Sequence, residues 1–369
     1  MNSEVFSNIS KIIERDSKST TYKFALLRGV IDIIQDNSPY ITFSRGRVHF
    51  PLGLLIEKWM LYYYPFLESS IKIPQINGGA NLAFGTHFQK IISEYQNRGG
   101  FSVFYNDLKN KGIPKNLEAD FILLSKKLKD TITLMPMKYI GRSINREYYS
   151  IFQFESGVKT RSNGIDIGFL IKAYGTFSVP MDYYDAFQLL GSFIGGQDSL
   201  LFKWAEFSVT ASGKTLSVDN VLGKVMMTPI TERQITESKQ IFRSILLKEG
   251  KVFCVWSGKE ISKYDVDHLI PFSIWKNNDL WNLLPSDAKT NRQKRDKIPS
   301  ANLIETRRDQ IIYYWNLLSE KQSDRFNKEI QTSLLGNIIS NQWQSSAITH
   351  LQDTCNYLIS KRGFEEWYV

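Results

Sequence analysis

A chain of 369 residues is long enough for two domains, or three short ones, and 42% hydrophobic residues with a mean hydropathy of −0.26 describe a globular chain with apolar mass for real cores. A net charge of +9 and a pI of about 9.2 point to an anionic partner, nucleic acid or an acidic membrane surface. The two cysteines, Cys254 and Cys355, lie far apart and in no C-x-x-C pair, which excludes a disulfide framework and disfavours a structural zinc.

The N-terminal segment mixes charges with apolar residues and has no apolar core of a signal peptide. Helices follow in the first third. Thr20 or Thr21 can cap residues 22–36, where Leu26, Leu27, Val30, Ile33 and Ile34 form a stripe. Pro51 suits a first helical position for residues 52–64. Residues 51–66 are the most apolar stretch, but Glu57 and Lys58 and the short length rule out a membrane span, so no membrane partner and a cytoplasmic location are expected. Trp59, Tyr62, Tyr63 and Tyr64 sit on this helix, and their helical spacing favours core packing over base stacking. Thr86 can cap residues 87–98, with Gly99-Gly100 as the stop, and a longer helix is expected from Pro114 to about Lys129.

Between Met137 and Pro180 the β-branched and aromatic runs at 147–156 and 164–179 read as strands. Helical spacing returns over 181–194, a break is expected at Gly195-Gly196, and apolar spacing resumes over 199–209. Small and turn-forming residues mark a boundary between about Ala211 and Thr231. A capping box of Thr231 with Gln234 is expected to open a helix over 232–249, stopped by Gly250.

Residues 251–300 carry the chemistry. Val252–Trp256 reads as a strand, 257–260 as a turn, and Tyr264–Leu269 as a second strand completing a hairpin; Ser286 can cap a helix over 287–295. Asp267 and His268 are neighbours in a strand and point to opposite faces unless the strand bends, and Pro271 is consistent with a bend. Asn291 falls in the second turn of the following helix. Asp and Asn oxygens are hard ligands suited to Mg²⁺ or Mn²⁺, and a neutral histidine can take a proton from water. Asn282, in the intervening loop, can fix the imidazole by a hydrogen bond from its side chain or main chain. Lys289, Arg292, Lys294, Arg295 and Lys297 surround Asn291 and suit a phosphate backbone, with Arg307 and Arg308 extending that surface.

The pattern D-H, then W-N-L, then N-R-x-K resembles the HNH, or ββα-metal, endonucleases. Y-D-V-D-H-L-I-P with N-R-x-K-x-D-x-x-P-S is most similar to the HNH domain of CRISPR RNA-guided DNA nucleases, over about residues 251–300 only. The resemblance implies His268 as general base, Asp267 and Asn291 as metal ligands, Asn282 as the residue that orients the base, and Lys294 near the phosphate. Where many stand-alone members carry zinc-binding cysteine pairs, this chain reads Cys254-Val-Trp-Ser257 and has no second pair. The module must then be held by packing from Trp256, Trp275 and Trp281. Asp265 is expected to be structural, and Cys254 a small buried apolar residue.

The expected fold class is α+β: a mainly helical region with a small β insertion over residues 1–230, an HNH module over 231–320, and C-terminal helices over 321–369 packing on it. The expected C-terminal helices include the stretches at 305–320 and 348–361. The expected activity is metal-dependent DNA cleavage, in a setting of restriction or antiviral defence. Residues 1–230 would recognise DNA, bind a partner subunit, form a homodimer or restrain the nuclease. Two alternatives stay open: an RNA-directed nuclease or toxin, and a non-catalytic nucleic-acid-binding assembly subunit.

Overall fold

The computed structural model describes residues 3–79, 81–140, 150–157, 164–192 and 194–368. The chain divides into two compact units, Met1–Asn37 with Ile41–Ile230, and Ser38–Tyr40 with Thr231–Val369.

The first unit contains α1 (Ser3–Glu14), α2 (Tyr22–Gln35), β1 (Thr42–Ser44), β2 (Arg47–Pro51), α3 (Leu52–Glu68), α4 (Gly85–Gln96), α5 (Gly100–Asn106), α6 (Glu118–Leu134) and α7 (Pro136–Tyr139). It continues with β3 (Gln153–Glu155), α8 (Ile167–Ala173), β4 (Thr176–Pro180), α9 (Met181–Ser192), α10 (Ile194–Ala211) and α11 (Val218–Val225). The buried axis is α3, apolar on nearly every face, which packs against α2, α4 and α8. Gly53 permits the α8 contact, since a Cβ there would lie 2.0 Å from the Leu170 carbonyl oxygen. Trp59, Tyr62, Tyr63 and Tyr64 are all buried in this core, packed with Tyr22, Phe84, Phe88, Phe101, Phe104 and Trp204.

Four strands form one antiparallel sheet in the order β1-β2-β4-β3, with Phe50 and Phe177 paired across it at 5.0 Å. The hairpin β1–β2 lies in a stretch assigned no strand from sequence. Its turn is Arg45-Gly46, both at positive φ, the geometry that matches the twist of a two-residue hairpin. Residues 167–173, expected as strand, form α8, because the Asp166 carboxylate caps the Phe169 amide. Gly195 and Gly196 lie inside α10, where a break was expected. The boundary stretch contains α11, opened by a capping box between Ser217 and Asn220. Of the strand expected over 147–156, residues 147–149 lie outside the described residues.

The second unit contains α12 (Thr236–Glu249), β5 (Val252–Phe253), β6 (Glu260–Ile261), β7 (Asp265–His268), α13 (Phe272–Trp275), β8 (Leu283–Ser286) and α14 (Ala288–Lys294). After these come β9 (Ile298–Pro299), α15 (Ala301–Thr306), α16 (Arg308–Lys321), α17 (Ser323–Ile330), α18 (Trp343–Ser360) and β10 (Glu366–Trp367). One core runs through the unit, built on Phe242, Trp256, Trp281, Tyr314, Trp315 and Cys355. Trp281 and Trp256 are fully buried, as expected of residues that hold the module by packing, whereas Trp275 only packs against the core from its edge. Trp256 meets Trp367 edge-on at 5.0 Å, and β10 pairs in parallel with β9.

The strand pairing differs from the expected hairpin. β5 pairs with β6, and β7 pairs instead with β8, placing Asp267 opposite Leu284 and His268 opposite Leu283. β8 lies in the stretch that the sequence reading assigns to the loop between the second strand and the helix, and it contains Pro285, a residue disfavoured within strands. Here Pro285 needs no amide donor, and its carbonyl accepts from Val255, so the strand survives it. The helix ending at Gly250 also begins later than expected: α12 opens at Thr236, and Thr231–Ile235 is not helical. Asn278 accounts for this by bonding the Glu232 carbonyl and the Gln234 amide from its side chain, replacing bonds a first helical turn would make.

Candidate active site

β7 ends where the chemistry begins. Leu269 donates to the Asn282 carbonyl at 2.7 Å, continuing the β7–β8 ladder by one bond, and Pro271 then turns the chain into α13. Asn282 is fully buried, and its amide clasps Ile270, accepting from the Ile270 N–H at 2.8 Å and donating to its carbonyl at 3.1 Å. Both polar ends of the side chain are thereby committed to the main chain two residues after His268. Asn282 holds the peptide that carries the imidazole, not the ring that was expected to be its partner. Removing it orphans a buried donor and a buried acceptor, each worth about 1–3 kcal/mol. Asn282→Ala is therefore expected to lower stability by about 2–4 kcal/mol in denaturant unfolding, and a loss under about 0.5 kcal/mol would refute this role.

The loop before Asn282 is equally built. The Asp279 carboxylate accepts from Asn277 at 2.7 Å, from Trp281 Nε1 at 3.1 Å and from Ser333 at 2.7 Å, and Leu280 donates to Glu329 at 2.7 Å. These bonds set the loop carrying Asn278 and Asn282 on rigid helices, as precise sites require.

Asp267 and His268 are both buried, at 5% and 2% exposure. Asp267 accepts from Trp256 Nε1 at 2.7 Å and pairs with the Lys294 ammonium at 3.3 Å. Lys294 is fully buried over the Trp256 ring, and donates to the His268 carbonyl at 2.5 Å. The ammonium thus lies against the carboxylate rather than open to a phosphate. Burial lowers its pKa, and the Asp267 charge opposes that shift.

The His268 ring packs beside Phe272, with centroids 5.5 Å apart, and its Nε2 has no hydrogen-bond partner among the described residues. Burial, then the positive charge of Arg233, hold its pKa down at about 4, a contact from Asn278 opposing them and Lys294 adding to them. The ring is neutral at physiological pH, the form a general base needs.

Asn291 is the fourth residue of α14, whose first turn is capped by the Asp287 carboxylate, not by Ser286 as expected. Asn291 and Lys294 lie three residues apart, on one face of a helix that packs on β7. The Asn291 side chain is half-buried and has no partner among the described residues. Among the described residues no three His, Cys, Asp or Glu side chains gather as a metal cage. A site of one carboxylate, one amide and waters still suits Mg²⁺. The Asp267 carboxylate already carries a cation, the Lys294 ammonium, and the free Asn291 amide lies on the helix face that supplies it. One carboxylate and one amide are oxygen donors of the kind a hard divalent ion takes, and an ion there would share Asp267 with the Lys294 ammonium.

The basic residues separate by environment. Lys289, Arg292 and Arg295 are exposed, whereas Lys297 is half-buried and ion-paired with Glu365. Arg308 is engaged by Glu305 and Ser345. Asp265 is exposed and Cys254 fully buried. Sequence reading missed Trp256 as the donor that holds Asp267, and missed Arg233 and Asn278 beside the imidazole. No local motif marks these three, and Arg233 was hidden by the helix expected over 232–249.

No helix among the described residues is long and apolar enough to cross a membrane. Comparison with known proteins matches residues 254–300 to a family model described as HNH endonuclease. A stretch of this chain is 31% identical over 70 residues to the CRISPR-associated endonuclease Cas9 of Listeria innocua serovar 6a, covering 18% of this chain and 5% of that protein. Another is 35% identical over 72 residues to the Cas9 of Streptococcus mutans serotype c, again 18% of this chain and 5% of that protein. The chain thus spans about a twentieth of the length of the curated relatives it matches. Residues 2–225, more than half the chain, match a second model, described as a domain of unknown function (DUF8808). The chain belongs to that family of unknown function and joins to its domain an HNH endonuclease module whose sequence is similar to the one in Cas9.

Proposed function

We propose that this protein is a divalent-metal-dependent endonuclease that hydrolyses DNA phosphodiester bonds, with His268 as general base. The observation that carries the reading is the His268 ring: neutral, with an unpartnered Nε2, next in sequence to a carboxylate that already balances a cation. His268 takes the proton from the attacking water. Asn282 keeps the ring in place through the Ile270 peptide, and Phe272 packs beside it. Asp267 and Asn291 would hold Mg²⁺ or Mn²⁺, which when bound neutralises charge on the phosphate and the leaving oxygen. Lys294 keeps Asp267 oriented, and Lys289, Arg292, Arg295 and, once freed from Glu365, Lys297 grip the backbone without reading bases. The likeness to CRISPR-associated endonucleases supports a role in restriction or antiviral defence.

Purified protein incubated with supercoiled plasmid is expected to nick or linearise it in Mg²⁺ or Mn²⁺ and to leave it intact in EDTA. Cleavage of single-stranded RNA but not plasmid would turn the reading to the RNA-directed alternative. Cleavage of neither, with tight binding to both, would favour the non-catalytic subunit.

The depressed pKa also sets a pH dependence. His268 is neutral above about pH 4, so log kcat/KM should show no break near 6.5 and should fall only as pH approaches about 4. The unfolded chain takes up the proton near pH 6.5 and the folded one only near 4, so this group also destabilises the fold as pH drops through that window. An activity profile with an acid limb centred on 6.5 would show that the ring is not buried during turnover.

A further inference from the structure

Outside the family motif, Arg233 brings a further cation toward the site. Thr231–Ile235 runs as a non-helical strap ahead of α12, clamped on both sides of Arg233: Asn278 Nδ2 donates to the Glu232 carbonyl at 2.8 Å, and the Gln234 amide donates to Asn278 Oδ1 at 2.9 Å. A second anchor fixes the clamp, because Arg325 bridges Glu237 at the start of α12 to the Asn278 carbonyl. Arg325 is in turn paired with Glu329, which receives the Leu280 amide two residues before Asn282. The strap is therefore tied to the same loop that positions His268.

Arg233 itself is exposed and has no hydrogen-bond or ion-pair partner among the described residues, although Glu232 and Glu237 are close in sequence. Its charge acts on both His268 and Lys294, and the Asn278 clamp on either side of it fixes its backbone to the loop that positions His268. A guanidinium held at its backbone, left without a carboxylate among the described residues and carried on a strap tied to the loop that positions the buried imidazole has the features of an anion receptor. The planar fork suits bidentate bonding to phosphate oxygens. The other basic residues near the site, on and just after α14, follow the base in sequence, so Arg233 would supply a contact from a separate element.

We propose that Arg233, presented by the Asn278 clamp, binds a backbone phosphate of the nucleic acid at or next to the bond that His268 attacks. This rests on the endonuclease reading for its placement at the cut. The binding it describes is measurable without cleavage.

The test is fluorescence anisotropy of a short duplex DNA with the full chain in EDTA, at several salt concentrations, for wild type, Arg233→Ala and Arg233→Lys. Losing one phosphate contact is expected to raise Kd by about tenfold and to lower the slope of log K against log salt by about 1 for Arg233→Ala. Arg233→Lys, which keeps the charge, should retain most of the slope. Equal affinity and slope in wild type and Arg233→Ala overturns the proposal even if the plasmid is cut normally, and so does a wild type that binds no duplex. A plasmid left uncut, with the slope change present, supports the phosphate contact and counts against the nuclease reading alone. Under turnover, a rise in KM with kcat unchanged places the contact at a flanking phosphate, and a fall in kcat places it at the scissile one.

Discussion

His268→Ala is expected to reduce metal-dependent plasmid cleavage by at least about 10²–10⁴-fold, the range a positioned general base contributes. The ring is buried and bonded through no Nε2 contact, so its removal costs packing beside Phe272 but breaks no hydrogen bond at that nitrogen. His268→Asn preserves much of the volume and cannot act as a base, and should lose as much activity while melting closer to wild type. Equal far-UV circular dichroism in all three proteins, with cleavage lost in both variants, identifies a chemical defect. Cleavage within about tenfold of wild type in either variant would remove His268 from the mechanism and leave its neutral state a consequence of burial alone.

Lys294→Met is expected to have the largest effect on stability at the site. Lys294 and Asp267 are an ion pair with side chains at 0% and 6% exposure, and removing the cation leaves a buried carboxylate supported only by Trp256. Breaking such a pair costs about 3–5 kcal/mol, or roughly 10 °C in Tm at about 2–4 °C per kcal/mol. The sign of the metal response is the informative part. In EDTA the variant should melt well below wild type. With Mg²⁺ in excess it should recover a larger share than wild type gains, because a divalent ion can take up the unpaired carboxylate. Asp267→Asn in the same background should remove both the deficit and the metal response. Identical melting of Lys294→Met in EDTA and in Mg²⁺ would refute Asp267 as a ligand.

Much of this chain was legible as sequence where one local rule applied without competition. The stripe of α2, the stop of α12 at Gly250 and the apolar faces of α16 and α18 follow from periodicity and a residue able to adopt positive φ. The residue types of the candidate site were readable as well, since Asp267, His268, Asn282 and Asn291 come in order at motif spacing. The tertiary structure decided the rest, at places where two local signals conflicted or a distant group supplied a bond. Residues 283–286, assigned to a loop from sequence, become β8 because β7 pairs with them and Val255 donates to the Pro285 carbonyl. The capping box at Thr231 lost to the Asn278 side chain, forty-odd residues away, which bonds the strap from outside. Asn282 was expected at the imidazole and instead holds Ile270, while Lys294 was expected at a phosphate and instead neutralises Asp267. The local preferences are each worth about a kilocalorie per mole, and at Asn282 and Lys294 a buried polar group that must find its partner outweighs them. Sequence by itself therefore determined which groups could do the chemistry; only the packed chain determined which group each of them serves.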